Sequence, residues 1–197
     1  MNDTFFHAVL VAVFLAFTAI RAYYYRKATR QMGNVAYKEG RRLQVLRALF
    51  GIPTIIALLT YIVQPNALAW AKLALPEWTQ WVGVALGLAS LPLIWWVQWA
   101  LDVNFSVVLH VRDEHTLVTH GPYRWVRHPM YTVLYVWIVS LFLLSQNAVI
   151  GAGFLVPLTV ILITRLKNEE AAMIEKFGEE YRQYMAQTGR FLPRLGV

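Results

Sequence analysis

The chain has no cysteine. Disulfides, thiolate nucleophiles and cysteine-bound metals are thereby excluded, and cysteine usage says nothing of the redox compartment. Charge is scarce as well: 15% of the 197 residues are Asp, Glu, Lys or Arg, against roughly a quarter in soluble domains. No internal repeat or low-complexity stretch is present, and no Gly-rich loop follows a strand pattern, so the fingerprint of a dinucleotide-binding sheet is missing. His110, His115 and His120 are spaced by five, which misses the i, i+4 spacing of a helical metal pair, and no metal site is expected. His7, His110 and His120 read as interfacial polar residues.

What the chain has in abundance is apolar sequence, 58% of its residues. That points to one membrane domain over 1–197, with 1–101 carrying three apolar spans and 102–197 the polar motifs. A net charge of +7 could indicate nucleic acid, but the basic residues alternate with long apolar runs and form neither a tail nor an aromatic-studded groove. No nucleic-acid partner is expected, and the charge is ascribed to membrane orientation.

About 20 apolar residues cross a bilayer core. Phe5 to Tyr25 is the first such run, ending in three tyrosines suited to the interface. Its slightly acidic start and bulky end argue against a cleaved signal peptide. Val45 to Val63 is the second, and Gln64 to Trp78 a short connection. Trp81 to Leu101 is the third, with Gly83 and Gly87 spaced for close helix approach and Trp95, Trp96 and Trp99 as an interfacial belt. Met130 to Ser145 and Ala148 to Thr164 are separated only by Gln146 and Asn147. They read as a tight helical hairpin whose polar tip reaches the far face or is covered by neighbouring helices, since loop backbone facing lipid is costly.

With the N-terminus outside, the inner segments 21–47, 102–128 and 165–197 hold eight, three and six Lys or Arg, 17 of 18, leaving only Lys72 outside. The positive-inside rule then predicts an all-α protein of five transmembrane helices, N-terminus out and C-terminus cytoplasmic. A C-terminal amphipathic helix follows from Ile174, Phe177, Tyr181 and Tyr184 at spacings of three and four. It is expected to rest on the cytoplasmic surface or to pack over residues 115–131. The membrane is an inner or plasma membrane in a prokaryote and the endoplasmic reticulum in a eukaryote.

Two polar regions carry the chemistry. In HTLVTHGPYRWVRHPMY, residues 115–131, Pro129 stands where a first helical position belongs, which pins the preceding residues at a helix N-terminus favourable to anionic groups. Asn168-Glu169-Glu170 follows the last span. A ligand with a carboxylate, an ammonium, a ribose, a purine and a sulfonium would find an arginine for its carboxylate, glutamates for its ammonium or hydroxyls, and aromatic faces for the rest. Arg127, His128, Tyr123, Tyr131, Glu169 and Glu170 supply those groups.

GPYRWVRHPMY at 121–131, preceded by HTLVTH and followed by a hairpin, EEAAMIEKFGEEYRQYM and GRFLP, resembles the isoprenylcysteine carboxyl methyltransferase family and the wider membrane methyltransferases that include phospholipid N-methyltransferases. The resemblance covers about the last 90 residues. It implies a transferase that uses S-adenosyl-L-methionine, released as S-adenosyl-L-homocysteine, without a Rossmann domain. Carried over by position, His115, Leu117 and Val118 line the cofactor, Gly121 and Tyr123 shape the turn beside it, His128 and Pro129 hold the adenosyl part, and Tyr131 lies near the methionine or methyl. Glu169 and Glu170 match the family's acidic pair, and Arg165 an arginine implicated in the acceptor site. Arg127 is assigned to orienting the site or binding a carboxylate. Val133 departs from the glycine common at that position, which bears on the acceptor tunnel.

The acceptor implied is lipophilic and delivered from the bilayer among membrane lipids, first an isoprenylcysteine-like carboxylate, with a phospholipid amine or small hydrophobic thiol as alternatives. A carboxylate is ionised at neutral pH and needs no base, whereas an amine must be deprotonated, by Glu169, Glu170 or His115. Outside methyl transfer, an NADPH-dependent membrane sterol or enoyl reductase and a non-catalytic scaffold are the other readings. Oligomeric state is not encoded in any motif.

Overall fold

The computed structural model describes residues 2–32, 41–101 and 116–194. Among them are five α-helices: α1 (Asn2–Met32), α2 (Arg41–Val63), α3 (Trp78–Leu101), α4 (Pro129–Ser145) and α5 (Ala148–Gln187). Short 3-10 helices at Pro65–Ala71 and Gly121–Arg124 connect them, and the described residues hold no β-strand, only two isolated bridges.

Helix α1 shows why these elements associate. Phe6, Leu10, Val13, Phe17, Tyr24 and Ala28 are buried, a stripe at helical spacing that faces the bundle. The outer faces are equally apolar: Leu15, Ile52, Ile56, Trp81, Leu88 and Ile163 are all exposed. A bundle that is oily on both sides of its helices is solvated by lipid, and the protein is an integral membrane protein. By length and composition three helices suffice to cross a membrane, or four if α2 and the 3-10 helix after it, bent by 118°, form one span. Helix α4, with 17 residues, is about 26 Å long and the shortest of the five.

The small residues of α3 do what their spacing suggests. A Cβ on Gly83 would lie 3.0 Å from the Leu144 backbone nitrogen and one on Gly87 2.6 Å from the Ser140 hydroxyl, which itself donates to the Gly83 carbonyl at 2.8 Å. Helices α3 and α4 thus approach to backbone contact, and antiparallel, with Gly83 beside Leu144 and Gly87 beside Ser140.

The hairpin tip is covered. Gln146 adopts a left-handed conformation (φ 46°) and Asn147 caps α5 by accepting from the Val149 and Ile150 amides. The connection between α2 and α3 then lies across both: Asn147 Nδ2 donates to the Leu68 carbonyl at 2.8 Å, Gln146 Nε2 to Leu75 at 3.1 Å, and the Leu73 amide to the Gln146 carbonyl at 2.7 Å. Asn147→Ala removes a cap and takes the donor from a partly buried carbonyl, and is expected to cost about 2 kcal/mol, read as a lower unfolding midpoint in detergent.

At the other end, the boundary anticipated near Thr164 is absent. Helix α5 runs through the Asn168-Glu169-Glu170 segment and ends at Gln187, with its one non-helical residue at Gly178 (φ 55°). The expected tail helix is therefore the continuation of the last apolar run, and its buried residues Glu170, Tyr181 and Tyr184 pack over the 121–131 segment. Charges did not end the helix because they are paired within the fold.

Candidate active site at the head of α4

The site forms where the start of α4, the turn before it and the second half of α5 meet. Gly121 opens the turn with φ 59°, a conformation that favours glycine. It also rests on α3, where a Cβ would come within 3.1 Å of the Ala100 Cβ and 3.4 Å of the Trp96 indole nitrogen. Tyr123 is buried, and its carbonyl accepts from the Tyr184 hydroxyl at 2.7 Å. Pro129 is the first residue of α4 and His128 its N-cap, as the sequence indicates.

Residues 189–191 then lie along this turn in the manner of a short strand. The Gly189 amide donates to the Trp125 carbonyl (3.1 Å), the Arg127 amide to Gly189 (2.9 Å) and the His128 amide to Arg190 (3.1 Å), while the Thr132 hydroxyl donates to Phe191 (2.7 Å). Two backbone amides just ahead of α4 and one hydroxyl in its first turn are thereby satisfied by residues 189–191.

Side chains close the arrangement around two carboxylates that point apart, as adjacent residues on a helix must. Glu170, 6% exposed, takes Arg190 through Nε at 3.1 Å and Nη2 at 2.6 Å, and Arg127 Nε at 3.4 Å. Glu169 takes Arg165 Nε and the Tyr131 hydroxyl at 3.1 and 3.3 Å. His128 stands between them, Nδ1 3.9 Å from Glu169 and Nε2 3.4 Å from Glu170. That second contact is an electrostatic pairing without hydrogen-bond alignment, and Nε2 is buried with no hydrogen-bond partner. Arg127 also donates through Nη1 to the carbonyls of Met185 (2.9 Å) and Thr188. Its geometry is that of a clasp between the turn and the end of α5.

Burial pushes the Glu170 carboxyl up, but His128 and Arg190, by hydrogen-bonding proximity and charge, more than offset this and hold it down at about 2, from an ordinary 4.5. The folded state thus favours the carboxylate, so its contribution is complete above about pH 4.5 and is lost as pH falls toward 2. Amide protection at Arg127, His128 and Gly189 is expected to persist at about pH 5 and to decay between about pH 4 and 2, measured by hydrogen exchange. Burial pushes the Tyr181 hydroxyl up to about 12 and that of Tyr184 higher still, so both are neutral donors at neutral pH.

Of the residues singled out from sequence, Arg127, His128, Tyr131, Arg165, Glu169 and Glu170 converge, and Gly121, Tyr123 and Pro129 shape the backbone around them. Leu117 is half-buried, whereas the Val118 side chain lies in the apolar core and has only backbone to offer a ligand. His115 lies outside the described residues. Val133 is buried in the same core. Arg190 and Thr188 are the additions: the closing GRFLP segment was visible as a motif, but only the fold places it on Glu170. No group of metal ligands occurs among the described residues.

Fold and site together define an all-helical integral membrane protein with a charged, aromatic centre at one end of its bundle. Residues 81–175 match the model of the isoprenylcysteine carboxyl methyltransferase (ICMT) family, and over that segment the chain is similar to it. The protein-S-isoprenylcysteine O-methyltransferase of Homo sapiens is 33% identical over 92 residues, 47% of this chain and 32% of the human one. That of Dictyostelium discoideum is 33% identical over 101 residues, 49% of this chain and 43% of its own. The matched stretch thus spans less than half the length of these relatives. A solved structure of the eukaryotic intramembrane Ras methyltransferase ICMT superposes with a TM-score of 0.57 at 19% identity, covering 94% of this chain and 67% of that one, so the likeness of fold reaches well beyond the matched segment.

Proposed function

We propose that this protein is an S-adenosyl-L-methionine-dependent methyltransferase that esterifies the carboxylate of a lipophilic, isoprenylcysteine-like acceptor reaching the site from the bilayer. The observation that carries the reading is the convergence of Glu169, Glu170, His128, Tyr131, Arg127 and Arg165 at the head of α4, inside the segment shared with the ICMT family. With five crossings and the N-terminus outside, the site lies at the cytoplasmic end, where 17 of 18 Lys and Arg fall on the same side.

The residues present fit the cofactor. His128 offers a buried ring nitrogen without a hydrogen-bond partner, Glu169 a carboxylate suited to an ammonium or ribose hydroxyls, and Tyr131 an aromatic face for a cation. When bound, S-adenosyl-L-methionine would supply a methyl whose bond to the sulfonium sulfur breaks as an acceptor oxygen bonds to its carbon, the sulfur leaving as the thioether of S-adenosyl-L-homocysteine. The protein's task is to bind, align and exclude water, because a carboxylate acceptor is already ionised. Tyr131 and Arg165 are both held by Glu169, which fixes the two side chains in one orientation.

Binding of S-adenosyl-L-homocysteine to the detergent-purified protein tests the reading. Affinity in the micromolar range is expected, falling at least about tenfold in His128→Ala and in Glu169→Ala, the loss of roughly one charge-assisted hydrogen bond. A folded wild-type protein that binds neither S-adenosyl-L-methionine nor S-adenosyl-L-homocysteine would sink the assignment.

A further inference from the structure

Outside the cluster around Glu169 and Glu170, the polar atoms buried without a hydrogen-bond partner among the described residues include those of a partly buried arginine and a fully buried glutamine in the helical bundle. Arg21, on α1, has its Nη1 buried with no hydrogen-bond partner, and Gln98, on α3, is 0% exposed with both amide atoms unpartnered. Such groups are costly among apolar helices, and an intramembrane arginine asks for an anion.

Their heights are fixed by neighbouring contacts. Phe17 stacks on Trp137 with ring centroids 4.4 Å apart, which sets the antiparallel register of α1 and α4. Arg21 lies one turn past Phe17 and Tyr131 six residues before Trp137, roughly 6 and 9 Å along the axes in the same direction. Arg21 and Tyr131 are therefore level, and the two interact electrostatically. Following the α3–α4 register from Gly83 beside Leu144 and Gly87 beside Ser140 brings Gln98 level with Pro129. Both orphans stand in the layer where α4 begins.

Among the described residues, the carboxylates near that layer are already engaged. The Tyr131 hydroxyl donates to Glu169, Glu169 holds Arg165, and Glu170 holds Arg127 and Arg190. No carboxylate of the described residues pairs with Arg21. A guanidinium is donor-only and permanently charged, so the group that complements it is an anion, and an ammonium in its place is repelled.

We propose that Arg21, assisted by Gln98, is the anchor for the acid group of the acceptor, and so the residue by which the site selects a lipophilic carboxylate over a lipophilic amine. The proposal deepens the methyltransferase reading and rests on it for the identity of the acceptor. It also gives the N-terminal half, outside the family match, a part in specificity.

The test compares binding of N-acetyl-S-farnesylcysteine with that of its uncharged carboxamide, in the full-length protein, in Arg21→Met, Arg21→Lys and Gln98→Leu, with S-adenosyl-L-homocysteine affinity measured alongside. The wild type is expected to prefer the acid by about 10- to 100-fold, the worth of a charge-assisted hydrogen bond in a buried site. Arg21→Met should reduce that preference to about threefold or less with homocysteine-product affinity within about twofold of wild type. Arg21→Lys should restore part of it, and Gln98→Leu should weaken it by a smaller factor. An acid preference that survives in Arg21→Met, or no preference in the wild type, overturns the proposal. Should Arg21→Met not fold, an unchanged preference in both Arg21→Lys and Gln98→Leu overturns it equally. A wild type that discriminates acid from amide yet does not bind S-adenosyl-L-homocysteine supports the anchor and removes the methyl-transfer reading, so the two failures are distinct.

Discussion

Glu170→Gln is expected to destabilise the protein by about 3 kcal/mol and to detach the tail from the turn before α4. The substitution keeps the shape of the side chain and removes the charge that Arg127, His128 and Arg190 share. Arg190 is 48% exposed and can turn to water, but the Arg127 side chain is only 9% exposed. A buried cation left without its partner costs far more than the net worth of the pair it came from, on the order of 3–5 kcal/mol when no other group compensates. Arg127 keeps two carbonyl acceptors at Met185 and Thr188, which sets the expectation at the lower end. Since those carbonyls lie at the end of α5, where the tail begins, weakening one fastening loosens the others. The unfolding midpoint in detergent and the rate of proteolysis at 186–194 measure the two effects together. Arg190→Gln is the contrasting case: its partner remains paired with Arg127, its own head is half in water, and its cost should stay below about 1 kcal/mol. Equal costs for the two variants would show that Glu170 is an ordinary surface partner and not the centre of a buried latch.

Much of this is legible in the sequence, and for identifiable reasons. Pro129 announces the start of α4 because its ring suits only a first turn there, and Gly83 and Gly87 announce close packing because nothing larger would fit. Gln146-Asn147 marks the hairpin because two polar residues between apolar runs have no other role. The same logic misjudged the end of the last span. Asn168, Glu169 and Glu170 look like solvated residues that end a membrane helix, yet a helix continues through charges when the fold supplies counter-charges, and Arg165 and Arg190 do so. Long-range pairings were the part hidden from sequence. Nothing local tells that Gly189 will lie beside Val126, that the connection between α2 and α3 will cap the hairpin tip, or that Arg127 will spend its donors on the tail. Arg21 is hard to read for a related reason: at the end of an apolar run an arginine reads as an interfacial anchor, and only the burial of its Nη1 without a hydrogen-bond partner distinguishes it from one.

Glu169→Gln carries the largest expected effect on turnover, a fall in kcat/KM of about 100-fold or more with a stability loss of only about 1–2 kcal/mol. Glu169 is less enclosed than Glu170, so the fold tolerates a neutral isostere, but three groups take their position from its charge: Arg165, the Tyr131 hydroxyl and His128 Nδ1. If alignment is what this carboxylate provides, its effect runs through those partners. Tyr131→Phe alone should then lower kcat/KM by about tenfold, and the double variant should be little worse than Glu169→Gln, because the second change removes a contact the first has already impaired. A fully additive double variant would mean that the two residues act independently and that Glu169 does not work through Tyr131. The pH dependence of the residual activity separates alignment from proton abstraction. A carboxylate acceptor requires no base, so the residual rate of Glu169→Gln should be flat between about pH 6 and 8, as in the wild type. A rate in the variant that climbs about tenfold per pH unit, where the wild type is flat, would assign Glu169 the role of general base and turn the acceptor from an acid into an amine.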